Sequence, residues 1–318
     1  MDRPGRSAEA DPSGAKAWPP LPFEEWRDTY ATLHMWTQIV GKIRMALTPS
    51  VNRWWHVPLY VASRGLTTSP MPYEDRQLEI LFDFVDHQLK VSLTDGATRS
   101  IPLAPRSVAA FYREVMALLA DLGVDVKIST LPVEIPKPIR FTDDQQHASY
   151  DPQAVNRLFQ ILVQTDAVFK EFRGRFLGKS SPVHFFWGAF DLAVTRFSGR
   201  RAPGREKPDR VMDEAYSHEV ISHGFWPGGE WPGAGTVESP VFYAYAVPEP
   251  AGFAEAAIRP AQAFRSRELG EFVLPYDSVR AAPSPRETLL EFMESTYVAG
   301  AELGHWDRAA LERPSAVG

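Results

Sequence analysis

The chain has no cysteine in 318 residues. That excludes disulfides, thiolate metal sites, iron–sulfur clusters and cysteine nucleophiles, and it suits a reducing compartment, so a cytoplasmic location is expected. Long apolar runs are also missing. The longest stretch free of Asp, Glu, Lys and Arg is Thr29–Gly41, thirteen residues, against the roughly 18–20 that a membrane-spanning helix needs. The opening residues, MDRPGRSAEADPSGAKAW, lack the apolar segment of a signal peptide. No membrane is expected among the partners. Nor is there an excess of positive charge: 34 basic against 40 acidic residues leave a net charge of −6. Nucleic acid held by bulk attraction to phosphate is therefore not expected either. No Gly-x-Ser-x-Gly elbow occurs, and no Lys-Ser/Thr follows the glycines of WPGGEWPGAG. A serine-hydrolase elbow, a P-loop and a dinucleotide fingerprint are all wanting.

What is present is an ordinary globular composition, 44% hydrophobic and 23% charged, long enough for two domains or one large one. Apolar residues Trp26, Tyr30, Leu33, Trp36, Val40, Ile43 and Leu47 step by three or four and predict a helix over 23–47, stopped by Thr48-Pro49. RWWHVPLYVASRGL at 53–66 reads as one aromatic strand. LEILFDFV follows at 78–85, and HQLKVSL and TRSIPL flank an Asp95-Gly96 hairpin turn. A helix over about 105–122 closes this half.

The second half repeats the order. Asp151-Pro152 opens a helix running to about Phe176, and VHFFWGAFDLAVTRFSGR at 183–200 is again a long aromatic strand. Strands are expected at 216–223, 241–247 and 271–275. Ser284-Pro285-Arg286-Glu287 has the form of a capping box before a last helix to about Leu303. Strands come in runs, which predicts an α+β fold with two pseudo-equivalent halves, each a helix, antiparallel strands and a helix. The order fits an internal duplication, and it equally fits an accidental succession of elements. The expected divisions are a disordered tail over 1–18, halves over 19–145 and 146–308, and a tail over 309–318. Residues 123–150 read as an extended connector, and 200–214 and 225–240 as loops of the kind that form lids or binding loops.

GKIRMALTP, NRWWHVPLYVASRGLTT, HFFWGAFDLAVTRFSGR, YSHEVISHGFWPGG and FYAYAVPEP together resemble a bacterial domain-of-unknown-function family, numbered five-nine-nine-six, over about residues 18–305. The resemblance implies a bacterial soluble protein. It brings no assigned activity, cofactor or catalytic residue.

Candidate chemistry rests on the histidines and acids of the second half. His218-Glu219-Val220-Ile221-Ser222-His223 has one residue too many for a zinc-protease helix, and on a strand its two histidines point to opposite faces. No metal and no cofactor are expected. Histidine exchanges protons near neutral pH, so His184, Asp191, His218 and Glu219 are the candidate catalytic residues. Asp191, inside an apolar strand, needs a partner such as Arg196 or Arg173. The aromatic strands must turn one set of side chains away from the helices. That set, with Trp54, His56, Trp187, Tyr243 and Tyr245, can line a cavity for an apolar or planar small molecule, or be covered by loops or another chain. Lys42, Arg44 and Arg64 are candidates for an anion-binding corner, and Arg196 for a further ligand contact. The expected function is acid–base chemistry on a small molecule. A non-catalytic binding protein and an oligomeric scaffold are the alternatives, and the oligomeric state is left open.

Overall fold

The computed structural model describes residues 17–204, 209–231 and 235–314. Helix α1 (Phe23–Leu47) buries its apolar stripe and ends at Thr48, which is extended (ψ 131°) because Pro49 disfavours helical geometry before it. The chain then departs from the single strand expected over 53–66. Arg53 and Trp54 take left-handed φ values of 60° and 59° within a short 3-10 turn (Asn52–Trp54). Pairing begins only at β1 (Tyr60–Ala62) and reverses into β2 (Gly65–Thr67).

Strands β3 (Met71–Tyr73), β4 (Arg76–Asp83), β5 (Gln88–Leu93) and β6 (Thr98–Pro102) complete an antiparallel sheet ordered β1-β2-β4-β5-β6, with β3 paired to β4. Leu78, Ile80 and Phe82 alternate along β4 into the core, as a half-buried strand requires. Gly96 sits at φ 92° in the β5–β6 turn, a conformation that favours glycine. Helix α2 (Val108–Asp121) starts at Ser107, whose hydroxyl accepts the Ala110 N–H at 3.2 Å. The connector carries no helix or strand and leads to α3 (Pro152–Gly174), capped by Asp151 through the Gln153 N–H at 2.8 Å.

The strand expected over 183–200 is also broken. β7 (His184–Phe186) and β8 (Asp191–Arg201) are joined by a tight turn in which Phe190 is left-handed at φ 61°. Helix α4 (Arg210–Ala215), β9 (His218–Trp226), the hairpin β10 (Gly229–Trp231) and β11 (Gly235–Val237), and β12 (Val241–Val247) follow. Then come β13 (Phe264–Ser266), β14 (Glu271–Pro275), α5 (Tyr276–Arg280), α6 (Pro285–Leu303) and α7 (Arg308–Leu311). The capping box expected at 284–287 does not form: Ser284 makes no side-chain cap. The expected loops at 200–214 and 225–240 contain α4 and the β10–β11 hairpin, with 205–208 and 232–234 outside the described residues. Of the expected tails, 1–16 and 315–318 lie outside them as well, while Trp18 is buried with its ring 6.3 Å from that of Tyr276.

The second sheet runs β13-β14-β12-β9-β8-β7, all antiparallel, so the fold is α+β. The internal duplication is not confirmed. The first sheet follows chain order, with β3 to one side, whereas β13 lies outside β14 in the second. A bridge between Leu59 and Phe185 links the sheets, and one continuous apolar core runs through both halves.

One face of the second sheet packs on α3 and α6. Arg196 is buried there, its guanidinium 3.4 Å from the Phe172 ring centre and 4.2 Å from that of Tyr297, with Glu294 at 3.6 Å. His223 bonds Thr296 Oγ1 at 2.8 Å on the same face.

Candidate active site

The registers Ala193↔Gly224 and Gly224↔Tyr243, with strand alternation, turn Asp191, Thr195, Ser222, Trp226, Tyr245 and Glu271 to the face opposite α3 and α6. α1 lies over this face, with Tyr30, His34 and Lys42 on one stripe. The connector around Glu134 and His147, the 3-10 turn and α4 supply the remaining walls. Together they border a cavity of about 1580 Å³, with Trp54, Trp55, Trp187, Phe197 and Tyr243 among its aromatic lining.

Asp191 lies on the cavity floor, buried. The Tyr243 hydroxyl donates to its Oδ2. Tyr243 reaches it across Gly224, where a Cβ would stand 2.1 Å from the ring carbon Cζ, so this contact requires glycine. Burial pushes the Asp191 carboxyl up to about 7, against the pull of the Tyr243 hydrogen bond and with the help of the Glu134 charge. Glu271, first residue of β14, is pushed up to about 8 by burial and then by the Asp191 charge, against Arg265. Its Oε2 is buried and has no hydrogen-bond partner among the described residues. Burial raises Glu134 too. The Glu134 charge opposes ionisation of Asp191 and the Asp191 charge that of Glu271, so near neutrality these two carboxyls still hold proton that ordinary carboxyls have lost.

Hydroxyls line the floor beside the pair. Thr195 Oγ1 is 2.6 Å from Ser222 Oγ, the Tyr216 and Tyr245 hydroxyls are 2.9 Å apart, and the Tyr243 and Tyr245 rings stack at 6.1 Å. On the α1 side, His34 Nε2 lies 2.8 Å from Gly188 O and 3.1 Å from Trp187 O. Two carbonyls at one nitrogen require it to carry the proton, and burial lowers the imidazole to about 4, so His34 is neutral with Nδ1 as its acceptor.

His147 also borders the cavity. Its Nδ1 lies 2.7 Å from Oδ2 of the buried Asp144, whose Oδ1 accepts the N–H groups of Gln146 (3.0 Å) and His147 (3.1 Å). Burial alone would raise the Asp144 carboxyl, but the His147 hydrogen bonds hold it below the ordinary range. A carboxylate that fixes Nδ1–H leaves Nε2 as the basic nitrogen.

Of the candidates named from sequence, the structure brings Asp191, Tyr243, Tyr245, Trp54, Trp187 and Lys42 to this one cavity. The others go elsewhere. His184 is buried between Trp55, Tyr60 and Phe186 with neither ring nitrogen partnered among the described residues, and burial lowers it to about 3. His218 opens β9 beside Ser217 Oγ at 3.1 Å, outside the lining. Glu219 is held by the Arg200 guanidinium at 2.7 and 2.9 Å. Arg196 serves the opposite face and does not pair with Asp191. His56 bonds the Val51 backbone at 3.1 Å, Arg44 donates to Thr68 O, and Arg64 pairs with Asp83 and Asp86 at 2.6 Å. Sequence reasoning missed Glu271, Glu134, His34 and the Asp144–His147 pair. Only the last left a local signal, an aspartate three residues before a histidine in a turn-rich segment.

Among the described residues, no three of His, Asp and Glu are grouped to hold a metal ion. Nor is any described helix long and apolar enough to cross a membrane. No curated protein and no solved structure matches the chain. A match to a family of unknown function, DUF5996, spans residues 18–313 and takes in every strand and helix that builds this cavity. The chain belongs to the DUF5996 family.

Proposed function

We propose that the protein is an enzyme that binds a small, largely planar organic molecule in this cavity and moves protons on it through Asp191 and Glu271. One observation carries this: two carboxyl groups on the floor of an aromatic-lined cavity are tuned to titrate near neutral pH. Groups that titrate near working pH are effective in general acid–base catalysis. Asp191, whose anion the Tyr243 hydroxyl stabilises, is the base that takes a proton from the bound molecule. Protonated Glu271, with no competing partner on Oε2 among the described residues, is the acid that returns one. The pair ends the cycle with the proton count at which it began, which suits isomerisation or elimination. We also place the protein in the bacterial cytoplasm, a setting that the lack of cysteine supports, and assign it neither membrane nor nucleic acid as partner.

The test is to incubate the protein with a bacterial small-molecule extract and follow each compound by mass spectrometry. A compound consumed by the natural protein, and bound but not consumed by Asp191→Asn, is the expected result. A compound retained unchanged by both would mark a binding protein and contradict catalysis.

A further inference from the structure

Two buried cations, Lys42 and Arg53, stand in the cavity wall. Lys42 is 2% exposed and has no hydrogen-bond or ion-pair partner among the described residues. A buried ammonium without an anion is costly, and here burial holds it below its ordinary range. Arg53 is a second cation of the same wall, 8% exposed, with its Nε buried and unpartnered among the described residues. Its backbone takes the left-handed φ of 60°, and its N–H is anchored on Glu214 Oε1 at 2.9 Å. Strained backbone held this firmly is typical of positions that present a side chain to a ligand. The guanidinium lies 4.7 Å from the Phe197 ring centre, and burial lowers its proton affinity while the Glu214 charge raises it.

The two cations are tied to one stretch of wall. Gly41, next to Lys42, abuts the Trp187 ring. Trp187 Nε1 donates to Val57 O at 2.8 Å, and the Val57 N–H donates to Trp54 O at 3.1 Å. Along α1, Lys42 lies eight residues beyond His34, roughly 12 Å at 1.5 Å per residue. A molecule seated against Trp187 therefore shares one cavity with these cations and with the proton-exchanging carboxyls.

We infer that Lys42 and Arg53 form an oxyanion subsite, so that the molecule bound in the cavity carries a carboxylate or phosphate group. This rests on the cavity being a ligand site, as proposed above, but not on catalysis. The Glu214 charge partly offsets that of Arg53, so the counter-charge that Lys42 lacks is the one the ligand supplies, and a neutral analogue leaves that ammonium unpaired, which is a strong basis for discrimination.

The thermal midpoint of the full chain is measured against rising inorganic phosphate, benzoate and benzamide, at ionic strength fixed with sodium chloride. Phosphate or benzoate raises the midpoint, which distinguishes the two sources of the oxyanion, and neutral benzamide binds at least tenfold more weakly than the better anion. Lys42→Met and Arg53→Met each weaken that anion tenfold or more, and Lys42→Arg retains it, which separates lost charge from lost packing. No anion effect beyond chloride, or an equal response in Lys42→Met, overturns the subsite. A substrate converted by the natural protein but carrying no anionic group would overturn the subsite alone. Anion binding without proton chemistry would overturn only the catalytic proposal.

Discussion

Replacing Asp191 by Asn should stabilise the protein above neutral pH and leave it nearly unchanged in acid. Burial and its neighbours lift the Asp191 carboxyl from 3.8 to about 7 in the folded chain. The folded protein therefore keeps a proton that the unfolded chain releases. Stability falls as pH rises from about 4, and the loss is complete once pH passes about 7. Holding the proton from 3.8 to about 7 corresponds to roughly 4 kcal/mol, and structural relaxation on ionisation reduces this, so about 2–4 kcal/mol is expected. Asparagine has no proton to lose and keeps an oxygen for the Tyr243 hydroxyl. Urea unfolding followed by tryptophan fluorescence at intervals from pH 4 to pH 8 gives the difference between variant and natural protein. It should grow with pH in favour of the variant and level off above 7. A constant difference across the range would refute the reasoning, because it would mean that Asp191 ionises at its ordinary pH in the folded state.

Gly224→Ala should cost about 1–3 kcal/mol through the clash with Tyr243, seen as a lower thermal midpoint, and should move the titration of the carboxyl pair upward because the Tyr243 hydrogen bond is lost. An unchanged midpoint would contradict the close approach at Gly224. Asp144→Asn should destabilise by about 1–3 kcal/mol and abolish the preference of neutral His147 for Nδ1–H, read from ring nitrogen chemical shifts. Arg196→Met should raise the proton affinity of His223, which burial and then the Arg196 charge together lower to about 3. A proton NMR titration of His223 that does not move would show that the charge has no effect there.

Local signals read the fold well where they were strong. The stripe from Trp26 to Leu47 and the Thr48-Pro49 stop place α1 over its observed span, and the strands expected at 241–247 and 271–275 are β12 and β14. The two long aromatic strands were misread because their breaks are set by tertiary contacts. Arg53 and Trp54 adopt left-handed backbone that no propensity favours, and Phe190 does so beside Trp187, whose indole is fixed by Val57 far away in sequence. The site was legible in part for the same reason. An aspartate in FFWGAFDLAV signalled a group in need of a partner, but the partner is a tyrosine reached across Gly224 rather than an arginine. Glu271 looks like any strand-opening acid until β14 pairs with β12, and the β12–β9–β8 ladder then brings it within electrostatic reach of Asp191. His184 and His218 looked suitable because histidine is suitable chemically, yet one is walled in by aromatics and the other lies beyond the lining.

The central claim is that Asp191 and Glu271 hold proton near neutrality. Carbon-13 labelling of the aspartate and glutamate side chains, with infrared detection of the protonated carboxyl stretch across pH 4 to pH 9, tests it most directly. Protonated carboxyl signal should persist at pH 7 in the natural protein, and the fraction lost should be assignable by Asp191→Asn and Glu271→Gln. If every carboxyl in the folded protein has ionised by pH 6, the account of this cavity as a proton-transfer site is contradicted.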